Sequence, residues 1–288
     1  MDVRVGLAWM PEPEFTAAVL PLLAAGEVGA LEWSFDTLPD GHDEDPALTG
    51  LLDAFAAQER LYLHGVTFNT FGGRLDARSR RWLERLRSAC ARRRVRHVSE
   101  HFGFLRAGGW RDGPPLPVPT DACALDLGRE RLRLLRDAAC CPVGIENLAF
   151  AFARDEARRQ GAFLDDLLAP VDGFLLLDLH NLHCQAANFG MDPEELLASY
   201  PLHRVREIHV SGGSWREGSH GPVRRDTHDG TVPSAVLDLL AIALPHCPRL
   251  EVVILERLGA SLPDRAAQLA FASEYRGLAA RIAEARVH

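Results

Sequence analysis

The sequence predicts an α/β protein folded as a single (β/α)₈ TIM barrel over residues 1–288. Short apolar runs alternate with longer amphipathic segments along the whole chain, and eight such runs can be placed. No internal repeat or linker interrupts this alternation, which favours one closed barrel over two domains. A composition of 47% hydrophobic and 25% charged residues is ordinary for a protein with a large core.

The predicted strands are short and apolar, as strands buried on both faces of a parallel sheet are. They lie at residues 3–8, 30–35, 61–64, 98–101, 143–146, 174–178, 204–210 and 251–256. Predicted helical segments lie at residues 14–25, 46–57, 76–93, 121–139, 163–168, 194–199, 233–244 and 263–285. Each strand is thus followed by a segment that can return the chain along the outside of the barrel.

Two long loops follow predicted strands, at residues 102–120 and 211–231. The first is the longest irregular stretch of the chain, and the second contains a dense polar cluster. Loops of this length in compact domains are usually functional or disordered. We expect both loops at the active face, with the first forming a lid over the substrate.

Six of the apolar runs end in a side chain that can bind a metal. These side chains are His64, His101, Glu146, Asp178, His209 and Glu256. The carboxyl ends of parallel strands meet at one edge of the sheet, so we expect these groups to converge. The second long loop adds Asp226 and His228, whose spacing places both side chains on the same side of an extended segment.

The chemistry of this set points to a metal centre. Imidazole and carboxylate ligands suit Fe, Mn or Zn, and the absence of cysteine argues against an iron–sulfur cluster or a structural zinc. The number of ligands is sufficient for two or three ions that share a bridging carboxylate. Capping or solvation could explain any one of these residues, but not their recurrence at six strand ends. Glu32 and Asp36 are expected to be solvated or structural.

Charge and cysteine usage restrict the partners and the compartment. A net charge of −8 and a pI near 5.8 argue against an extended nucleic-acid groove. The six cysteines form no CxxC pair, which predicts reduced thiols. The N-terminus lacks the pattern of a signal peptide, and no apolar run reaches the length of a membrane span. We therefore expect a cytoplasmic protein that binds neither membranes nor nucleic acid.

Seven segments occur in an order and with flanking residues that are specific to one family. They are HGVTFNTFGG, SEHFGFL, GIENLAF, LLLDLHNLHCQAANFGMDP, REIHVSGG, DTHDGTVP and ILER. In them the chain resembles the DUF692 family, the multinuclear non-heme iron-dependent oxidative enzymes (MNIO), whose TIM barrel is related to endonuclease IV and xylose isomerase. The resemblance implies two or three iron ions of mixed Fe(II)/Fe(III) state, with dioxygen as co-substrate. It also implies natural-product biosynthesis by oxidation of a side chain, often cysteine, in a ribosomally made precursor peptide that a partner protein frequently presents.

The resemblance assigns roles to individual residues. One iron would be held by His64, His101 and Glu146, and a second by Glu146, Asp178, His209 and Glu256. A third site would use Asp226 and His228 with Asn181 or His180. Independently of the resemblance, we expect Glu100 and Asn147 to orient ligands, because metal-bound histidines and carboxylates need oriented partners. We expect Trp110, Trp215 and Arg224, on the two long loops, to contact the peptide.

Three other functions fit parts of the pattern. The main alternative is a zinc-dependent phosphoesterase of the endonuclease IV type, although such enzymes carry a histidine ligand where this chain has Asn181. A sugar isomerase or epimerase would rely on carboxylates and on a lysine or histidine for proton transfer, whereas this chain lacks lysine. A peptide-binding barrel without metals would have no need of the complete ligand set.

Overall fold

Eight parallel strands close into a barrel, which confirms the predicted fold class. The computed structural model describes residues 3–38, 45–107, 110–219 and 221–285, without the side chains of residues 107–113. The strands are β1 (Arg4–Trp9), β2 (Ala30–Trp33), β3 (Leu61–Gly65), β4 (Val98–His101), β5 (Phe104–Ala107), β6 (Trp110–Leu116), β7 (Val143–Glu146), β8 (Phe174–Asp178), β9 (Val205–Val210), β10 (Trp215–Gly218), β11 (Gly221–Arg224) and β12 (Val252–Leu255). The barrel order is β1-β12-β9-β8-β7-β4-β3-β2, and every pair in it is parallel.

The helices of the described chain surround this barrel. They are α1 (Pro13–Ala24), α2 (Pro46–Ala57), α3 (Ala77–Arg92), α4 (Ala122–Ala139), α5 (Arg154–Leu168), α6 (Leu179–Phe189), α7 (Pro193–Ala198), α8 (Ser234–Ala243) and α9 (Arg265–Glu284). Six of them begin after an aspartate whose side chain accepts hydrogen bonds from the first free backbone N–H groups: Asp45, Asp76, Asp121, Asp178, Asp192 and Asp264. These caps fix where each helix starts relative to the strand before it.

The apolar core lies mainly between the barrel and the helices. Leu, Val, Ile and Phe side chains on the outer faces of the strands pack there against the buried faces of the helices. Inside the barrel the described apolar cluster is small and consists of Ala8, Ala30, Tyr62, Val252 and Ile254. Barrels of this kind usually fill their interior with layers of branched apolar side chains. Here titratable groups instead occupy much of the interior near the carboxyl ends of the strands.

Two predictions about local structure were wrong. The long stretch 102–120 is not irregular, because β5 and β6 pair there as an antiparallel hairpin. Its glycines and prolines hid the strands from a pattern analysis, since both residues are depleted in strands. The loop 211–231 likewise contains the hairpin of β10 and β11. Both hairpins follow barrel strands at their carboxyl ends, where the active face was predicted.

The segments that carry Asp178 and Asp226 also differ from the prediction. Asp178 both ends β8 and caps α6, which begins at the next residue, so the downstream polar residues lie on a helix. The segment from Asp226 to His228 is not extended, because His228 adopts a left-handed backbone conformation with φ of 50°. The two side chains still meet, with His228 Nε2 at 2.9 Å from Asp226 Oδ1.

A buried carboxylate ties three strands together at the opposite end of the barrel. Glu251, next to β12, accepts hydrogen bonds from Arg96 Nη2 at 2.7 Å and from Arg206 Nε at 2.8 Å. Burial opposes its ionisation, but the two guanidinium groups together lower the pKa of Glu251 below its ordinary value of 4.5. The ion cluster joins the segments before β4, in β9 and before β12.

Glu251→Gln is expected to destabilise the fold by roughly 1.5–3 kcal/mol at pH 7, the range for hydrogen bonds to charged groups. Because the folded-state pKa is lowered, the carboxylate stabilises the fold above pH 4.5 and loses this effect as the pH falls through the folded pKa. Urea unfolding at pH 7 and below pH 4.5 measures the difference between wild type and variant. The prediction fails if this difference does not shrink in acid. Glu27→Gln, at an exposed ion pair with Arg276, should behave as wild type.

Candidate metal centre

The structure brings the six predicted strand-end residues together at the carboxyl end of the barrel. Their ligand atoms, with those of His228, form three overlapping groups, in each of which the atoms lie within 4.8 Å of one another. The groups are His64, His101 and Glu146; Glu146, Asp178 and His209; and Asp178, His228 and Glu256. Because Glu146 and Asp178 each belong to two groups, the three groups form one continuous cluster. Glu146 thereby stands where a bridging carboxylate would.

The first group is built by three neighbouring strands. Glu146 Oε2 lies 3.2 Å from both His64 Nε2 and His101 Nε2. Two atoms that each bind one ion at about 2.1 Å are about 3–3.4 Å apart, so this spacing suits ligands of a common ion. The other ring nitrogen of His64 lies 2.9 Å from Ser99 Oγ, which fixes the ring. Ser99 is a neighbour of His64 across β3 and β4.

The second group depends on hydrogen bonds from two asparagines. Asn181 Nδ2 donates to Glu146 Oε1 at 3.0 Å, which turns Oε2 toward the histidines. Asp178 Oδ1 accepts the Asn181 backbone N–H at 2.6 Å, so the second oxygen of Asp178 faces the cluster. Asn147 holds the backbone of Asp178 from both sides, accepting from its N–H at 2.7 Å and donating to its carbonyl at 3.0 Å. Asn147 therefore positions the strand end.

The predicted third site is arranged differently from the expectation. His228 Nε2 lies 3.7 Å from Glu256 Oε2 and 2.9 Å from Asp226 Oδ1. His180 offers no free ring nitrogen, because Nδ1 lies 3.0 Å from Asp226 and Nε2 lies 3.0 Å from Arg224 Nη2. Arg224 is buried in this contact and does not reach into an open groove. Arg224 thus contacts His180, and His180 in turn contacts and holds Asp226.

Buried nitrogen and oxygen atoms that lack a well-formed hydrogen bond test whether a metal ion fits the cluster. Among the described residues, six such atoms belong to this cluster, although some lie close to a group of opposite charge, as His228 Nε2 does to Asp226: Glu146 Oε2, Asp178 Oδ2, Asn181 Oδ1, His209 Nδ1, His228 Nε2 and Glu256 Oε2. Leaving one buried polar group without a hydrogen bond costs about 1–3 kcal/mol, so six at one place require an explanation. Metal ions bound by nitrogen and oxygen donors would satisfy all of them.

The charges of the cluster lead to the same interpretation. Burial, with the charges of Asp226 and Glu146, raises the pKa of Asp178 well above its ordinary value. Burial also opposes ionisation of Glu256, but His209 and His228 lower the pKa of Glu256 to about 2. Burial alone would lower the pKa of His64, yet Glu146 and Glu32 raise it to about 9. The carboxylates therefore need positive charge, which protons on imidazoles or divalent cations supply.

The remaining predicted residues lie around the centre. Glu100 is fully buried and accepts the Phe68 backbone N–H at 2.7 Å, which holds the loop after β3. Asp36 has the structural role expected of it, because it accepts hydrogen bonds from Thr67 and from Trp82 Nε1. Trp215 is 55% exposed on β10. The side chain of Trp110, a predicted substrate contact, lies outside the described residues.

The sequence analysis missed Glu32 and Ser99 as partners of the predicted ligands. Glu32 is 1% exposed, and its Oε2 lies 3.1 Å from His209 Nε2. Residues two apart on a strand point to the same side, so Ser99 could have been found two residues before His101. Glu32 lies on a strand without a predicted ligand, and only the closed barrel places it beside His209.

Comparison with known proteins identifies the family. A family model described as "RiPP precursor modification enzyme MbnB/TglH/ChrH" matches residues 35–275. The chain belongs to this family. Its members are enzymes that modify the precursors of ribosomally synthesised and post-translationally modified peptides, and the match includes every residue of the three overlapping groups. The resemblance stated from the sequence is thereby confirmed.

Relatives of the family carry names that state no activity. A UPF0276 protein of Bordetella parapertussis is 30% identical over 274 residues, which are 94% of this chain and 90% of the relative. One of Caulobacter vibrioides is 32% identical over 195 residues, 67% of each chain. One of Streptomyces avermitilis is 38% identical over 152 residues, and this match spans 50% of this chain but 30% of the relative.

Solved structures agree with the barrel. Endonuclease IV from Thermus thermophilus superposes with a TM-score of 0.60 at 18% identity, covering 98% of this chain and 99% of that one. The IOLI protein, solved with a zinc atom, gives a TM-score of 0.59 at 14% identity over 97% and 98% of the two chains. At such identities the likeness shows the fold alone. None of the described helices is long and apolar enough to cross a membrane.

Asn147→Ala is expected to destabilise the protein, because it strips partners from the buried N–H and C=O of Asp178. Each unsatisfied group costs about 1–3 kcal/mol. Asn147→Asp keeps the acceptor but turns the donor into a second acceptor facing the Asp178 carbonyl, so it should also destabilise. Chemical unfolding of both variants measures the effect. Midpoints equal to wild type would show that Asn147 does not hold the strand end.

Proposed function

We propose that this family member is an iron-dependent oxidative enzyme that modifies a side chain, most simply a cysteine, of a ribosomally made precursor peptide. Dioxygen is the co-substrate, and a partner protein presents the peptide. The observation that carries the proposal is the convergence of buried nitrogen and oxygen donors, six of them without a well-formed hydrogen bond, at the mouth of a barrel whose family modifies peptide precursors. The donor set is free of cysteine and suits iron.

The proposed ligands follow the three overlapping groups. One iron is held by His64, His101 and Glu146, and a second by Glu146, Asp178 and His209 with Glu256 nearby. A third ion would be bound around His228, with Asp178 and Glu256. Asp226 and Asn181 stay adjacent to this third position. Asp226 holds His228, and Asn181 keeps an unpartnered oxygen directed into the cluster.

Bound iron would supply redox chemistry toward dioxygen and an open position for a substrate thiolate. The protein's own groups provide the conditions for this. Ser99 and Asn181 hold His64 and Glu146 in fixed orientations, so the donors need little rearrangement on binding. Burial of the donor side chains keeps bulk water away, and His101, the most exposed of the first group at 20%, marks the side that substrate can reach.

The hairpin of β10 and β11 is the proposed entry surface for the peptide. Arg225 donates its backbone N–H to the Ser214 carbonyl, so these two residues form a hydrogen-bonded pair of the antiparallel hairpin. The next pair, Trp215 and Arg224, is a non-hydrogen-bonded pair, and its backbone N–H and C=O groups point away from the partner strand. On β11 these outward groups of Arg224 are both bound by the Asn188 side chain, at 2.8 and 2.9 Å. On β10 all four residues are exposed, and no hydrogen bond to the Trp215 backbone is formed by the part of the chain that the structure describes. An extended peptide can pair with such an edge.

Glu146→Ala is expected to remove a ligand from two of the proposed groups and to lower the iron content by at least one ion per chain. Protein purified without air and loaded with iron-57 would be measured by elemental analysis and Mössbauer spectroscopy. The wild type should hold two or three irons per chain. Glu195→Ala, at an exposed carboxylate on α7, is the control and should match the wild type.

The same measurement distinguishes the main alternative. Zinc at full occupancy, with no oxygen consumption after reconstitution with iron, would contradict the oxidative function and favour a zinc-dependent phosphoesterase. Iron bound at wild-type level by Glu146→Ala would contradict the bridging role of this carboxylate.

Trp215→Ala is expected to raise the KM for the precursor peptide by roughly tenfold or more, with little change in kcat. An exposed tryptophan that anchors a partner typically contributes this much binding energy. The peptide would be sought among the products of neighbouring genes, and initial rates would be compared between variants. Leu20→Ala, at an exposed apolar residue on the outer helix α1, is the matched control. An unchanged KM in Trp215→Ala would exclude this entry surface.

A further inference from the structure

The two ring nitrogens of His209 face opposite surroundings. Nδ1 has no hydrogen-bond partner and lies 3.3 Å from Glu256 Oε2, on the side of the metal centre. Nε2 lies 3.1 Å from Glu32 Oε2 and 3.8 Å from Glu207 Oε1, deeper in the barrel. His209, Glu32 and Glu207 are each at most 1% exposed. Water therefore cannot replace either carboxylate as a partner of the ring.

This arrangement decides which nitrogen can bind a metal. Two carboxylate oxygens face Nε2 and one faces Nδ1, so a single ring proton is held best on Nε2. Nδ1 then carries the lone pair, beside a carboxylate that would bind the same cation. We infer that Glu32, supported by Glu207, is a positioning residue that makes His209 a metal ligand through Nδ1. The inference rests on the proposed metal centre and goes beyond it, because neither carboxylate belongs to the proposed ligands.

Glu207 is itself held from below. His97 Nε2 lies 2.8 Å from Glu207 Oε2, and His97 is fully buried between the rings of Tyr62 and Phe174, with centroids 4.6 and 4.4 Å away. One oxygen of Glu207 is thus taken by His97, and the other, which lacks a hydrogen-bond partner, faces His209. Strands β2 and β9 and the residue directly before β4 are joined in this way beneath the candidate metal centre.

The expected consequence is tighter metal binding at the position that His209 serves. A carboxylate that accepts the second N–H of a metal-bound histidine fixes the ring and makes it more basic. Removing such a partner typically lowers metal affinity by about 10–100-fold. Glu32 is the nearer partner, and a glutamine at its position keeps the shape while losing the charge.

The test uses Co²⁺ as the probe on the complete chain. Its affinities are measured by competition with a chromophoric chelator, and the proton NMR spectrum of the loaded protein is recorded. In wild type we expect at least two ions and a shifted, exchangeable resonance from the Nε2 proton of His209. In Glu32→Gln we expect about 10–100-fold weaker binding of one ion, unchanged binding of another, and faster solvent exchange of that resonance.

Three further variants keep the inference testable. His209→Gln should abolish the resonance, which assigns it. Glu251→Gln removes a buried carboxylate at the other end of the barrel and should leave affinities and spectrum as in wild type, even though it lowers stability. Glu207→Gln should reproduce the effect of Glu32→Gln in weaker form, and it serves as the second variant should Glu32→Gln not fold.

The outcomes separate this inference from the proposed function. Wild type that binds two or more ions, with Glu32→Gln unchanged in affinity and spectrum, would overturn the positioning role and leave the metal centre standing. Absence of the exchangeable resonance in the loaded wild type would show that Nε2 itself binds metal, together with Glu32 and Glu207, which also form a group with ligand spacing. Failure of the wild type to bind two ions would overturn both.

Discussion

The crowding of buried carboxylates and imidazoles at one end of the barrel is the constraint on which the rest of the structure depends. Like charges this close cannot all be ionised in a medium that solvates them poorly, as the raised pKa of buried Asp178 beside Asp226 and Glu146 indicates. The fold tolerates the arrangement because several of the donors are held on their far side by another group. Ser99 holds His64, and Asn181 holds Glu146.

A barrel is well suited to holding buried carboxylates and imidazoles close together. Its strands bring residues from distant parts of the chain into register, as the neighbours His101 and Glu146, and Asp178 and His209, show. The large apolar core lies outside the barrel, so the interior can hold polar groups without removing the main source of stability. The small apolar cluster inside then separates the metal centre from the ion cluster around Glu251 at the other end.

The parts that were predictable from the sequence are those encoded by local pattern. An apolar run that ends in His, Asp or Glu predicts both a strand and a candidate ligand, and six of the eight barrel strands, with their six converging residues, were found in this way. The helix after Asp178 was not predicted, because polar residues separate Leu179, Leu182 and Ala186. These three residues have helical spacing and are buried. The hairpins were missed because proline and glycine obscure short strands.

Other features could not be predicted because they depend on distance in space. Glu32 reaches His209 across 177 positions of the sequence, and His97 reaches Glu207 across 110. His228 was assigned to an extended segment, but its left-handed backbone turns the chain, and such a conformation in a residue other than glycine leaves little trace in the sequence. The candidate ligands were therefore easier to predict than the residues that orient them.

The closure of the barrel has a consequence for the folding of the newly synthesised chain. Strand β1 pairs with β12, which joins Arg4 to Val252, and the Tyr275 hydroxyl of α9 donates to the Val5 carbonyl at 2.8 Å. The ring is complete only when nearly the whole chain has been synthesised, and pairings of such sequence separation form late. Glu256 directly follows β12, so the three overlapping groups of candidate ligands are complete only when this last strand has closed the barrel.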